Sequence, residues 1–203
     1  MGCTESIQLP DHFTQFQNWP APKVSAMIKS YIDGEYDYGI DHTVVMALSG
    51  LNLDESKVLV KALSKGDSII INATVFLLTV IMLSEPNRRI EAGQLGMIFD
   101  VFDFNMNGSI SFDEFCIMLL CIATAQGAII CEQDFVPNDA AIVTVAEVMY
   151  EELGKNKTHA ILKEDVLNLW KNSFTSHGVI TIDKTFERFR LGKKVIFWEP
   201  EED

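Results

Sequence analysis

Two short stretches of this 203-residue chain carry residue types at spacings that could do chemistry. The first is DFNMNGSISFDE at 103 to 114. It fits D-x-[DN]-x-[DN]-G-x5-E, a pattern that wraps backbone and side-chain oxygens around a hard divalent cation. Ca²⁺ takes six to eight oxygens, so a tight turn must bring alternate residues onto one centre. Asp103, Asn105 and Asn107 would supply side-chain oxygens and Ser109 its backbone carbonyl; Ser111 would act directly or through a water. Glu114 would close the sphere with both carboxylate oxygens. Gly108 permits the sharp bend, and Ile110 should point inward to form the short strand contact through which two such loops pair. The competing reading is a polar surface turn that matches by chance, which six residue types at fixed offsets make improbable.

The second stretch is the start, MGCTES, which fits M-G-x-x-x-[ST] with Gly2 as an N-myristoylation acceptor and Cys3 beside it for S-acylation. A single acyl chain holds a membrane only marginally, so stable anchoring needs a second signal. A polybasic patch cannot supply it, because the first lysine is Lys23; Cys3 is the candidate.

The loop needs a helix on each side to aim its ligands. Leu95, Ile98, Phe99 and Phe102 recur at helical spacing before it, and Phe112, Phe115, Cys116 and Leu119 after it, with Asn87 a candidate N-cap for the entering helix. With these residues the chain resembles the EF-hand superfamily. The resemblance implies that such units come in pairs. Upstream, residues 64 to 75 offer Ile71 in the place of Ile110, but Ser64, Gly66 and Val75 stand at the first, third and twelfth positions, so this loop lacks two required carboxylates and is expected to lend structural support to the competent one. Downstream, Ile142, Val145, Ala146, Met149 and Leu153 form a helical stripe before two candidate loops. Gly154 to Asp165 has glycine where the first carboxylate belongs, and 173 to 184 ends on Lys184, which would repel an ion. The two begin 19 residues apart, too close for two complete units, so the second half is either a compressed, metal-free pair or one unit with an added helix, and the two stay open at this point.

The expected fold is therefore all-α: paired helix-loop-helix units with short two-stranded loop pairings, extra N-terminal helices and a degenerate C-terminal half. The expected organisation is an acylated segment at 1–10, an aromatic-rich helical segment at 11–50, a unit pair at 51–127 and a degenerate half at 128–203 ending in an acidic tail. Within 11–50, helices are expected around Lys23 to Ile32 and Asp41 to Leu48, where Phe13, Phe16, Trp19, Tyr31, Tyr36 and Tyr38 could cover the core or dock a partner.

Composition narrows the function classes. A net charge of −13 repels phosphate backbones, so nucleic acid is not an expected partner, while metal ions and basic amphipathic helices are. The four cysteines, with three in apolar stretches, suit a reducing compartment, and no signal peptide or membrane-spanning segment is read. The sequons at Asn72, Asn107 and Asn156 should then be silent. No nucleophile elbow, phosphate loop, HExxH or CxxC is present, so an enzyme is not expected.

Neuronal calcium sensors, calcineurin-B-like proteins and flagellar membrane calcium-binding proteins are similar in their acylated start. The resemblance implies a cytoplasmic, membrane-anchored, ciliary or flagellar in one version, Ca²⁺-binding sensor that regulates a protein partner. Its rival is a constitutive structural subunit of a larger assembly, with the metal serving stability and the segment at 188–203 serving as a docking piece. Val75 to Leu83 and Phe115 to Ala123 are apolar nearly all round and need cover, from the chain itself or from a partner's amphipathic helix.

Overall fold

The computed structural model describes residues 11–64, 68–84, 92–129 and 138–174, the side chains of residue 92 and of 169–174 excepted. The candidate acylation residues Gly2 and Cys3, the candidate cap Asn87, Gly66, and the segment from 175 onward lie outside the described residues. The described chain is mostly helical with short two-residue strands, as expected for an all-α protein.

The chain divides into two units. The first runs α1 (Asp11–Thr14), α2 (Ala21–Asp33), β1 (Gly39–Ile40), α3 (His42–Ser49), α4 (Leu53–Leu63), β2 (Ile71–Asn72) and α5 (Ala73–Leu83). The second runs α6 (Ala92–Phe102), β3 (Ser109–Ile110), α7 (Phe112–Ile129), α8 (Asp139–Glu152), β4 (Ile161–Leu162) and α9 (Lys163–Phe174), with α7 grouped in it through Thr124. Apart from the short α1 that precedes it, each unit is thus helix, loop, strand, helix, stated twice.

The strands pair in one register in both units. β1 lies antiparallel to β2 with Gly39 opposite Asn72 and Ile40 opposite Ile71; β3 lies antiparallel to β4 with Ser109 opposite Leu162 and Ile110 opposite Ile161. All four isoleucines are buried. This corrects the pairing expected from sequence, in which Ile71 would serve the loop of Ile110. Ile71 instead meets Ile40, and Ile110 meets Ile161. The helices expected around Lys23 to Ile32 and Asp41 to Leu48 are α2 and α3, and they are the missing half of the first unit rather than an addition to it. Downstream, the loop used is Gly154 to Asp165, since Ile161 holds the place in it that Ile110 holds in 103–114, and Ser173 and Phe174 belong to α9.

Capping shows why each exit helix starts where it does. Three residues that directly follow the paired isoleucines carry an oxygen side chain: Asp41 accepts from the amides of Thr43 and Val44, Asn72 from those of Thr74 and Val75, and Ser111 Oγ from the amide of Glu114 at 3.2 Å. Glu114 returns the bond, its Oε2 accepting from the Ser111 amide at 2.7 Å, which makes a capping box. Leu162, in the fourth loop, has no such oxygen, and Asp165 reaches back to its amide at 2.8 Å instead.

In the first unit, Phe13, Phe16 and Trp19 are buried, with Lys23 Nζ 3.6 Å from the Trp19 ring centre, so these aromatics cover the core. Tyr38 is 59% exposed. All eleven residues of α5 are buried, which answers its all-round apolarity. Its two threonines remain satisfied, Thr74 on Asn72 Oδ1 and Thr79 on the Val75 carbonyl. In the second unit Tyr150 of α8 stands edge-on to Phe112 and Phe115 at 5.0 and 5.6 Å, packing α8 against the start of α7. By length and composition α7 could cross a membrane, alone among the described helices; here Phe115, Met118, Leu119 and Ile122 are buried in the protein and Ile117 is exposed.

Two outcomes follow. Ile161→Ala removes a fully buried partner from the ladder and should destabilise the second unit by about 2–5 kcal/mol in denaturant unfolding. Tyr150 Oη is buried with no hydrogen-bond partner among the described residues, so Tyr150→Phe should be neutral or stabilising by up to about 1 kcal/mol, read by the same measurement.

Candidate metal loop and its paired loop

The loop at 103–114 follows α6 directly, and its polar side chains are turned onto its own backbone. Asp103 Oδ1 accepts from the Asn107 amide at 3.0 Å and Oδ2 from the Gly108 amide at 2.7 Å. Asn105 Oδ1 also accepts from the Asn107 amide, at 3.1 Å, and Asn107 Oδ1 accepts from the Ser109 amide and hydroxyl at 2.8 and 2.6 Å. Asp103, Ser109 and Glu114 are half-buried, while Asn105, Asn107 and Ser111 are exposed. The turn needs two left-handed residues, Met106 at φ 53° and Gly108 at φ 78°. A Cβ at Gly108 would meet nothing within 4 Å, so glycine is there for its backbone freedom and not for space.

All six residues expected as ligands are therefore carried on one turn between α6 and α7, with Glu114 on the first turn of α7. Their chemistry is oxygen throughout: two carboxylates, two amides, a carbonyl and a hydroxyl. Among the described residues no three His, Cys, Asp or Glu side chains form a metal-holding group, which accords with a loop whose third and fifth places are asparagines. Such a set suits a hard cation and not a thiophilic metal.

The other loops are held by different means. In the first, counting back from Ile40 as from Ile110 puts Asp33, Glu35, Asp37 and Asp41 at the first, third, fifth and ninth places, an acidic set that motif matching missed because Tyr38 and Val44 replace the glycine and the closing glutamate. Recognising Ile40 as a counterpart of Ile110 was the signal that could have found it. This loop is organised by its aromatics: Tyr36 stacks on Tyr31 at 6.2 Å and lies over Gly34, where a Cβ would come within 2.5 Å of its ring. In the second loop, Ser64 ends α4, Ser68 Oγ bridges the amide and carbonyl of Ile70, and Val75 is buried in α5, so none of the three is placed as a ligand.

The fourth loop, partner of 103–114, begins on a helix stop. Gly154, at φ 65°, donates its amide to the Glu151 carbonyl and Lys155 donates its own to Tyr150, both at 2.9 Å, the two bonds of a Schellman cap. The glycine that stands where a first carboxylate was sought is thus the terminator of α8. Lys155 Nζ then bonds Asp165 Oδ2 at 2.5 Å and the Ala160 carbonyl at 3.1 Å. Burial pushes the Asp165 carboxyl up, but its hydrogen bonds to Lys155 and to the Leu162 amide outweigh this and hold it below the ordinary carboxylate range. Lys157 pairs with Glu147 and sits 5.2 Å from the Phe112 ring centre, and Lys163 of α9 pairs with Asp100 of α6 at 2.6 Å across a surface where such pairs contribute little. Burial, then the nearby Asp113, raises the Cys116 thiol to about 11, so it stays protonated at neutral pH.

Comparison with protein-family models, with curated proteins and with solved structures gave no match to this chain.

Because the Asp165 carboxyl is held low, its pairing stabilises the fold fully above the unfolded value of about pH 4 and is lost as pH falls through the lowered folded value. Acid titration followed by circular dichroism should show this loss shifted or absent in Asp165→Asn. In the loop 103–114, Gly108→Ala should cost about 1–2 kcal/mol in denaturant unfolding through backbone strain alone.

Proposed function

We propose that the chain is a Ca²⁺-binding protein of the EF-hand type, made of four helix-loop-helix units in two pairs, in which the loop at 103–114 alone holds the ion. The observation that carries this is a coincidence of two independent features. The twelve residues satisfy the oxygen pattern without a mismatch, and Ile110 in the same loop is paired with Ile161 in a two-residue ladder repeated at Ile40 and Ile71. Asp103, Asn105, Asn107, the Ser109 carbonyl, Ser111 and Glu114 would hold the ion. Bound Ca²⁺ supplies a concentrated positive charge; the protein's part is to present oxygens on a turn already bent by Gly108 and to close it with Glu114.

Only Asp103 and Glu114 bring formal charge, so the site belongs in the sensor range or weaker, with Kd about 10⁻⁶–10⁻⁴ M. The protein acts as a cytoplasmic sensor or adaptor, tethered to a membrane through acyl groups on Gly2 and Cys3, that regulates a protein partner by taking an amphipathic helix. A ciliary or flagellar membrane is one such place. Glu114 is the moving part in this account: it caps α7 through Ser111, so any turn of its carboxylate toward an ion is felt at the start of that helix.

A second reading has its own support. With all eleven residues of α5 buried, the chain itself covers that helix, as in a constitutive structural subunit whose metal serves stability only. Calorimetric titration with Ca²⁺ should give micromolar to submillimolar binding that Glu114→Gln weakens by about 100-fold or more. Nanomolar binding, or a Glu114→Gln variant that binds like wild type, overturns the metal assignment. Apolar dye that binds only in Ca²⁺ supports the sensor; dye binding indifferent to Ca²⁺ supports the scaffold. Myristate labelling in cells should be lost in Gly2→Ala, and palmitate labelling in Cys3→Ser.

A further inference from the structure

The fourth loop carries its own cation. We infer that the Lys155 ammonium is a built-in substitute for a metal ion in the loop 154–165, which sets the partner of 103–114 in its paired shape without any diffusible ligand. Counted from the ladder, with Ile161 in the place of Ile110, Ala160 stands seventh and Asp165 twelfth. In a Ca²⁺ loop these are the places whose backbone carbonyl and carboxylate bind the ion. Lys155 Nζ takes a bond to each: the Ala160 carbonyl at 3.1 Å and Asp165 Oδ2 at 2.5 Å.

The lysine is aimed by its backbone. Its amide is the last donor of the Schellman cap that closes α8, so its stem starts from a fixed point two residues beyond the C-cap Leu153. Gly154 makes the preceding turn possible at φ 65°. The ammonium and the carboxylate are both mostly shielded, with side-chain exposures of 23% and 27%, which places the pair between a solvated surface bridge and a buried one. Asp165 Oδ2 accepts from the Leu162 amide as well, so one oxygen ties the cation, the strand β4 and the start of α9 together. A tethered ammonium is present at high effective concentration and is not diluted or chelated away.

The glycine that disqualifies this loop as a metal site and the lysine beside it are therefore its substitute. The consequence rests on the proposed function: ion binding at 103–114 is a single, non-cooperative event, made against a strand that is already in place. The inference itself does not rest on that reading, because the lysine acts without metal.

The test is amide hydrogen exchange by NMR in the presence of chelator, comparing wild type, Lys155→Met, Lys155→Arg, Asp165→Asn and the double variant Lys155→Met with Asp165→Asn. Exchange at Ile161 and Leu162 should quicken by about tenfold in Lys155→Met and in Asp165→Asn, with the double variant no faster than either alone. Lys155→Arg should retain most of the protection. If Lys155→Met fails to fold while Lys155→Arg folds, the cation is required, which also supports the inference. Unchanged protection in Lys155→Met, or single effects that simply multiply in the double variant, overturns it. Titration with Ca²⁺ then separates the two proposals: a wild type that binds no Ca²⁺ but shows the exchange pattern refutes the metal site and leaves the lysine's role standing.

Discussion

Two isoleucine pairs, Ile40 with Ile71 and Ile110 with Ile161, fix most of what this protein is. A two-residue antiparallel ladder contributes few hydrogen bonds, yet a slip by one residue would turn each buried isoleucine out to solvent, so the register is strongly specified. The helix on each side must then leave the ladder at a set point. Asp41, Asn72 and Ser111, and Asp165 acting for Leu162, cap the exit helices directly after it. The oxygen-bearing turn between α6 and α7 is held from below by Ile110 and from its far end by the Ser111 and Glu114 capping box, so its geometry derives from the pairing and not from the turn alone.

Each loop above a ladder must also be held in shape, and the four do it by different means. Stacked Tyr31 and Tyr36 hold the first, a serine bridge the second, and a lysine the fourth. In 103–114 the Asp103, Asn105 and Asn107 oxygens accept from the amides of the turn itself. The same backbone plan is thus filled by aromatic stacking, by local hydrogen bonding or by an ion pair, according to which side chains the turn carries. The ladders do not depend on which of these means a loop uses, because the isoleucines carry the burial.

Much of this could be read before any coordinates. Helical spacing located α6 and α7 around the loop, and the stretches that became α2 and α3 were anticipated to within a residue or two. The loop 64–75 was placed in the register it adopts, with Ile71 as its strand residue. Its partner was misassigned because the strong motif drew the weak loop toward itself, across 39 residues, while the nearer Ile40 lay in a segment with a tyrosine where the glycine belongs and so looked like no loop at all. A lone buried isoleucine is a faint signal; four of them in matched register is a clear one. The role of Lys155 was not legible, because a lysine beside a glycine reads as a solvated turn until the carbonyl and carboxylate it joins are seen to share a loop. Gly2 and Cys3 belong to sequence alone and lie outside the described residues.

The central claim is that one loop of the four holds an ion and that its partner needs none. Native mass spectrometry of the full chain, exchanged into Ca²⁺ at millimolar concentration and compared with chelator, counts the ions directly. One bound Ca²⁺, absent in chelator, is the predicted result. Two bound ions contradict the claim that one loop alone holds an ion, and none contradicts the metal loop itself.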